Sequence, residues 1–190
     1  MTMQLDRDDL IEGLRDVVRA VHEQKLSGVS IRIVGGAAPR LVHFDRDTTA
    51  DIDACIQPMG QLQPIIAEIA AVRGWPSDWL NNSAAIFIPN LGQTVDWEPL
   101  FDDSSVSIAI APVDALLAMK LAAARPGRDT EDVAKLLALS GTETIAAAEE
   151  LYESFYPGDA LPDRTIGLLD KIFTVGLPPK PLTPEMPNLD

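Results

Sequence analysis

The stretch from Ile33 to Ile56 reads IVGGAAPRLVHFDRDTTADIDACI, and it decides how the rest of the chain is interpreted. The alternating, β-branched run VSIRIV predicts a strand that ends directly in Gly35-Gly36. Glycines let a backbone approach a ligand closely, and their N–H groups can bind phosphate oxygens. Residues 51–56 predict a second strand. Because side chains two apart on a strand point the same way, we expect Asp51 and Asp53 on one face.

Two carboxylates on one face of a strand suit a hard divalent cation such as Mg²⁺, which prefers oxygen ligands and usually shares itself with substrate phosphates. A metal bridging those phosphates would stabilise a departing pyrophosphate. Taken singly, a Gly-Gly pair is explained by a turn and a D-x-D by a solvated strand face. Their combination after a buried strand, with Arg46 and Thr49 between them, favours a nucleotide site.

Helical and extended patterns surround this stretch and predict an α+β fold, with a mixed sheet flanked by helices and a helical C-terminal half. Predicted helices cover residues 7–24, 61–73, 112–124, 129–139, 143–155 and 163–173, and further extended runs cover 84–88, 94–97 and 106–111. The predicted organisation is an α/β core with an N-terminal helix (1–111), a helical region (112–176) and a proline-rich tail (177–190), which we expect to be extended or disordered.

Charge and cysteine content narrow the function classes. The net charge of −14 weighs against broad nucleic-acid binding, although a local basic cleft is compatible with it. Cys55 is the only cysteine, so no intrachain disulfide can form, and a reducing cytoplasm fits. No apolar run approaches the length of a membrane span, and the acidic start MTMQLDRDDLIEGL does not resemble a secretory signal.

Lys120 is the most unusual residue of the C-terminal half, because it interrupts the apolar helix ALLAMKLAAA. A buried lysine is costly unless it is paired, so a partner carboxylate or a triphosphate would satisfy it. Snorkelling to solvent is the other explanation. Asp129 is equally explained as the cap of the helix that begins at Thr130, and Asp132 as a first-turn acid favoured by the helix dipole.

Two segments carry a family resemblance. The strand, the Gly-Gly pair and RDTTADID (46–53) together resemble the signature of the DNA-polymerase-β-like nucleotidyltransferase superfamily. LLAMKLAAARPGRDTEDVAKLL (116–137) resembles the Lys-plus-RDxxD segment of AbiEii-like and MenT-like nucleotidyltransferase toxins, and WPSDWLNNSAAIFIP (75–89) resembles small proteins of that group. The resemblance covers residues 29–173 and implies the nucleotidyltransferase fold.

The resemblance also implies roles for individual residues. Nucleotide contacts would come from Gly35, Gly36, Arg46, Thr49 and Lys120, and Mg²⁺ ligands from Asp51, Asp53 and a third acid. Lys120 would contact phosphate or help to activate the attacking group. Asp96 is the first choice for that acid and Glu98, two residues on, the second; Asp132, or its neighbour Asp129, would complete the catalytic site.

The implied activity is Mg²⁺-dependent transfer of a nucleoside monophosphate from ATP or another triphosphate to a tRNA or protein hydroxyl. Such a toxin would be paired with a cognate antitoxin. The alternatives are a non-catalytic nucleotide- or partner-binding module of the same fold, and an aminoglycoside-type small-molecule nucleotidyltransferase.

Overall fold

The structure is a computed structural model that describes residues 4–44, 48–123, 125 and 127–190. Over these ranges the chain is α+β, with a mixed five-stranded sheet. In chain order the elements are α1 (Arg7–Glu23), β1 (Val29–Ile33), a π-helix (Pro39–His43), β2 (Ile52–Gln57), α2 (Met59–Arg73), β3 (Leu80–Asn81), a 3₁₀ helix (Ala85–Phe87), β4 (Glu98–Asp102), β5 (Val106–Ile110), α3 (Val113–Ala123), α4 (Thr130–Ser140), α5 (Ile145–Phe155) and α6 (Asp163–Val175).

The described part of the chain forms two compact units. Unit 1 comprises Met1–Ala85, Trp97–Ala111 and Pro184–Asp190, and unit 2 comprises Ile86–Asp96 and Pro112–Thr183. The sheet therefore belongs to unit 1 and helices α3 to α6 to unit 2. The segment before β4 belongs with the helices, whereas the last seven residues belong with the sheet.

The sheet of unit 1 has the strand order β3-β2-β1-β5-β4. Strand β1 is antiparallel to β2 and parallel to β5, and β4 closes the other edge antiparallel to β5. Alternate residues of the three central strands are buried, and these are Val29, Ile31, Ile33, Ile52, Ala54, Ile56, Val106, Ile108 and Ile110. The residues between them are partly or fully exposed, so one face of the sheet is a core face and the other is open.

Helices α1 and α2 pack on each other and contribute buried apolar side chains to the core of unit 1. Helix α1 begins with a capping box, in which Asp6 and Asp9 each accept a hydrogen bond from the other's backbone N–H. Gly13 lets α1 approach two indoles, because a Cβ there would lie 2.7 Å from the Trp79 ring. The Trp79 Nε1–H donates to the Ile66 carbonyl of α2 at 3.1 Å, which satisfies its polar atom inside the core.

The segment after Gly36 forms a buried helical turn. All five residues of the π-helix are buried. The Arg40 guanidinium donates to the Leu5 carbonyl at 2.8 Å, and the His43 ring nitrogen lies 3.0 Å from the Ala111 carbonyl oxygen. These contacts fix the segment that leaves the Gly-Gly turn.

The proline-rich tail has no helix or strand, as expected of an extended segment, but its end is held in place. Two α1 arginines donate to its backbone, Arg7 to the Glu185 carbonyl and Arg15 to the Asn188 carbonyl, the latter at 2.6–2.9 Å. Leu189 is 1% exposed. The last seven residues are therefore part of the packing of unit 1.

Unit 2 is built around α3, which packs against α4 and α5, while α6 contacts both α4 and α5. The Thr165 hydroxyl donates to the Leu121 carbonyl at 2.8 Å and ties α6 to α3. The 86–96 segment follows α5, since the Gln93 N–H donates to the Ser154 carbonyl and the Tyr156 hydroxyl donates to the Phe87 carbonyl. Burial raises the pKa of Tyr156, so this hydroxyl keeps its proton.

Two extended runs expected from the sequence are not strands. Residues 84–88 contain the 3₁₀ helix, and 94–97 have no regular structure, because the strand begins only at Glu98. Strand β4 lies at the edge of the sheet, where Pro99 is tolerated because an edge strand can leave one side without ladder hydrogen bonds. In the described residues, no helix is both long and apolar enough to cross a bilayer.

Candidate functional site

The Gly-Gly turn lies directly against the second aspartate of the D-I-D motif. Strand β1 continues into Val34, whose N–H donates to the Asp53 carbonyl at 2.8 Å. Gly35 then adopts φ 66°, and a Cβ on it would lie 2.5 Å from Asp53 Oδ2 and 2.8 Å from Asp53 Cβ. Two features require glycine at position 35: the left-handed backbone conformation and the close approach to Asp53. The turn and the carboxylate are thus one local structure.

Asp51 and Asp53 flank the buried Ile52 at the start of β2. Both are partly exposed, and the pleat directs Asp53 to the open face, opposite to Ile52 and Ala54. Asp51, one residue before the strand, keeps the same alternation. Asp53 therefore lies on the open face of the sheet, and both aspartates lie at the end of the sheet where β1 ends and β2 begins.

Asn81 is a site residue that the sequence patterns did not single out. It pairs with Asp53 in the short β2–β3 ladder, and its side-chain amide donates to Asp51 Oδ2 at 3.1 Å. The same amide donates to the Asp78 carbonyl, and its oxygen accepts the Ser83 N–H at 2.8 Å. These three bonds orient the amide, which in turn orients the Asp51 carboxylate. The signal in the sequence was the NN pair that directly follows Trp79 and Leu80.

Three further residues of the first 85 were predicted to contact the nucleotide: Thr49, Gly36 and Arg46. Thr49 is buried, forms an isolated bridge with Leu5, and its hydroxyl donates to the Asp51 carbonyl at 3.2 Å. It therefore supports the backbone that leads into the D-I-D motif. Gly36 is the second residue of the turn and is partly exposed. Arg46 lies outside the described residues.

The two candidates for the third acid belong to different units. Glu98 pairs with Ile110, which places its side chain on the core-face side of the sheet, opposite to Asp53. Asp96 is exposed and is the last residue of the 86–96 segment of unit 2. Among the described residues, no group of three or more His, Cys, Asp or Glu side chains is arranged to hold a metal ion.

An arginine and a tryptophan meet on the open face of the sheet. The Arg32 guanidinium carbon lies 5.4 Å from the centroid of the Trp97 ring, within cation–π range. Arg32 is exposed and Trp97 is partly exposed. Trp97 therefore lies on the same face of the sheet as Asp53, whereas Glu98 belongs to the opposite face.

Lys120, Asp129 and Asp132 form a buried cluster in unit 2. The Lys120 ammonium donates to Asp129 Oδ1 at 2.7 Å and to Asp132 Oδ2 at 2.9 Å, and its side chain is only 7% exposed. Arg125 adds a further hydrogen bond to Asp129 at 3.0 Å. The sequence left a carboxylate or a triphosphate as partners of Lys120, and the structure provides the carboxylates.

Asp129 stands just before α4, but its side chain makes no capping hydrogen bond to that helix. Its oxygens bind Lys120 and Arg125 instead. Burial pushes the pKa of the Asp129 carboxyl upward, but the charges and hydrogen bonds of these two cations outweigh it, and the pKa lies below its usual value of 3.8. The cluster therefore joins α3 to the start of α4 through ionised groups.

Comparison of the chain with protein-family models, with curated proteins and with solved structures gave no match in any of the three.

Proposed function

We propose that the chain is a Mg²⁺-dependent nucleotidyltransferase of the DNA-polymerase-β-like fold. The observation that supports this most is the contact between Gly35 and Asp53 at the end of β1. It brings the Gly-Gly turn and the pair of carboxylates together at the end of the sheet where β1 ends and β2 begins, on its open face.

The donor set fits a magnesium ion. Asp51 and Asp53 offer hard carboxylate oxygens from one face, and the lack of a Cβ at position 35 lets the turn lie directly against the Asp53 side chain. Asn81 holds the Asp51 carboxylate in orientation. Bound there with the triphosphate, the metal would supply charge neutralisation at the departing pyrophosphate.

The proposed reaction transfers a nucleoside monophosphate. An acceptor hydroxyl oxygen bonds to the α-phosphorus, the bond from that phosphorus to the bridging oxygen breaks, pyrophosphate leaves, and the hydroxyl proton is released to water. The chain's own contribution is to hold the triphosphate: Gly35 and Gly36 bring backbone N–H groups close to its oxygens, and the two aspartates fix its metal-bound end.

The other implied residues enter the proposal through the resemblance alone. Lys120 would contact a phosphate and Asp132 would assist catalysis. In unit 2, however, Lys120 already forms ion pairs with Asp129 and Asp132. Asp96 would be the third metal ligand. The pairing of Lys120 favours a second candidate function, a module that binds a magnesium–nucleotide complex without transferring it.

The resemblance to toxin-type enzymes makes a tRNA or a protein hydroxyl the acceptor in this proposal, with a cognate antitoxin as partner. The net charge of −14 favours the protein acceptor, since a polyanion gains little from approaching this surface. An aminoglycoside-type acceptor, being a polycation, would suit the same charge.

The test is label transfer from α-³²P-labelled ATP, CTP, GTP and UTP, with Mg²⁺, to total tRNA and to cell lysate. We expect label on one acceptor class, and loss of that label in Asp53→Asn. Asp102→Asn is the matched control, because Asp102 is an exposed acid at the far end of β4 and loses the same charge. Binding of Mg–nucleotide without transfer to any acceptor would favour the second candidate, and transfer by Asp53→Asn at the wild-type rate would refute the site.

A further inference from the structure

Asn81 stands next to both aspartates of the candidate site. In the parallel β2–β3 ladder it pairs with Asp53, and its neighbour Leu80 is buried, so Asn81 and Asp53 share the open face of the sheet. Its amide nitrogen lies 3.1 Å from Asp51 Oδ2. The amide is therefore joined to one carboxylate by a hydrogen bond and to the residue of the other by the strand register.

The other hydrogen bonds of the Asn81 amide fix which of its ends faces Asp51. The nitrogen also donates to the Asp78 carbonyl at 3.0 Å, and the amide oxygen accepts the Ser83 N–H at 2.8 Å. Turning the amide over would set its oxygen against two acceptors, the Asp51 carboxylate and the Asp78 carbonyl. Asn81 therefore presents N–H groups, and not an oxygen, to Asp51.

A neutral amide at this position limits the negative charge that the site offers to a cation. Aspartate has nearly the shape of asparagine, so a carboxylate at position 81 would put an oxygen where the amide nitrogen now lies, 3.1 Å from Asp51 Oδ2. Carboxylates at that spacing repel one another unless a cation lies among them, and the affinity of an oxygen site for a divalent cation depends on its number of charges. With asparagine, a donated hydrogen bond orders Asp51 without any cation.

We propose that Asn81 makes the Asp51–Asp53 pair selective for a magnesium–nucleotide complex over the free cation. The inference rests on the proposed function, in which substrate phosphates provide further oxygen ligands. Mg²⁺ dehydrates reluctantly, and proteins usually bind it through one or two carboxylates plus those phosphates. The pair, ordered by Asn81, supplies the carboxylates. The substrate is thus the preformed complex, and the chain does not take up the metal beforehand.

The experiment follows binding of Mn²⁺ alone, as a paramagnetic stand-in for Mg²⁺, by EPR and by its effect on the Tm. We expect wild type to bind Mn²⁺ weakly and to keep its Tm. Asn81→Asp should bind Mn²⁺ roughly 10-fold more tightly than wild type, because a third charge joins the site. Its Tm should be below that of wild type without the cation and should rise when Mn²⁺ is added, since the cation relieves the repulsion.

Asn82→Asp is the matched control for the added charge. The side-chain oxygen of Asn82 accepts the Ile56 N–H at 2.8 Å, and a carboxylate can keep that bond. The same charge is then added one residue further on, on a side chain that is turned to the backbone of β2. This variant should bind Mn²⁺ as weakly as wild type does. An equal gain in Asn81→Asp and Asn82→Asp would overturn the inference, because net charge alone would explain it.

Asn81→Ala removes the hydrogen bond to Asp51 without adding a charge. We expect it to weaken binding of the non-hydrolysable analogue α,β-methylene-ATP with Mg²⁺ roughly 10- to 100-fold, as the loss of a residue that orients a metal ligand does. Wild-type affinity in this variant would contradict the role of Asn81. Binding of Mn²⁺ alone by wild type as tightly as by Asn81→Asp would overturn the selectivity and leave the proposed function standing. A wild-type protein that binds neither Mn²⁺ nor the Mg²⁺ complex of the analogue would overturn both proposals.

Discussion

At the scale of single residues, Gly35 carries the link between the turn and the carboxylates. Its φ of 66° is a left-handed conformation that costs a residue with a Cβ about 1–2 kcal/mol, and the Cβ would also meet Asp53 at 2.5 Å. We expect Gly35→Ala to lower the free energy of unfolding by about 2 kcal/mol or more. It should also displace the Asp53 carboxylate and weaken Mg–nucleotide binding.

Urea unfolding and nucleotide calorimetry measure these two effects. Gly74→Ala is the control, because Gly74 has a similar φ of 69° but a Cβ there would meet no atom within 4 Å. It should share the backbone cost and keep the affinity for nucleotide. If Gly35→Ala bound nucleotide as tightly as Gly74→Ala does, the close approach would have no role in the site.

At the same scale, Lys120 compensates the buried charges of Asp129 and Asp132 in unit 2. Removing one partner of a buried ion cluster leaves the other charges uncompensated, which costs about 3–5 kcal/mol. We expect Lys120→Met to lower the Tm strongly, since Asp129 and Asp132 would lose their shared cation. Lys171→Met, at an exposed position of α6, should change it little.

The pKa of Asp129 gives this effect a pH dependence. Because its pKa in the folded protein is below the usual value of 3.8, its ionised form contributes stability that is complete above that value and is lost as the pH falls through the folded pKa. The difference in Tm between wild type and Lys120→Met should therefore be largest near neutral pH and shrink below about pH 4. A difference that is independent of pH would show that the lost ammonium–carboxylate bonds are not its source.

At the scale of elements, the end of the proline-rich tail is held in place by contacts with helix α1. Leu189 is 1% exposed, and α1 arginines bind the carbonyls of the residues before it. We expect Leu189→Ala to destabilise unit 1 by about 2–3 kcal/mol, because it opens a cavity in a packed site. Leu182→Ala, which truncates an exposed leucine of the same tail, is the control. Equal urea midpoints for the two variants would mean that the end of the tail adds nothing to the stability of unit 1.

The strands β1, β2 and β5 were predictable because their side chains alternate and are β-branched, so periodicity alone identifies them. Strand β4 was missed: EPLFD has no clean alternation and contains Pro99, which an edge strand tolerates. The sequence also could not predict on which face of the sheet Glu98, a candidate for the third acid, lies. A shift of one residue in register moves a side chain to the other face, and only the pairing of Glu98 with Ile110 fixes that register.

At the scale of the whole molecule, the α+β class and the mixed sheet were predictable from the order of strand and helix patterns. The sequence did not predict which segments, distant along the chain, join each unit. The last seven residues pack with the sheet because Arg7 and Arg15 of α1 bind their backbone. The 86–96 segment is held by the bond from the Gln93 N–H to the Ser154 carbonyl and by the bond from the Tyr156 hydroxyl to the Phe87 carbonyl. Backbone carbonyls carry no residue-specific signal, so neither contact leaves a pattern in the sequence.

Under the proposed function, the net charge of −14 calls for a metal ion between the nucleotide and the chain. A triphosphate and an acidic protein repel one another, so the Asp51–Asp53 pair can hold a nucleotide only through a cation between them. We therefore expect nucleotide binding to follow the concentration of Mg²⁺.

The most direct measurement is the affinity for α,β-methylene-ATP as Mg²⁺ is titrated, in wild type, Asp53→Asn and the control Asp102→Asn. We expect binding by wild type and Asp102→Asn that is lost when Mg²⁺ is removed with EDTA, and no Mg²⁺-dependent binding by Asp53→Asn. Binding that is independent of Mg²⁺, or that survives in Asp53→Asn at the wild-type affinity, would contradict the assignment of the Asp51–Asp53 pair as the metal site.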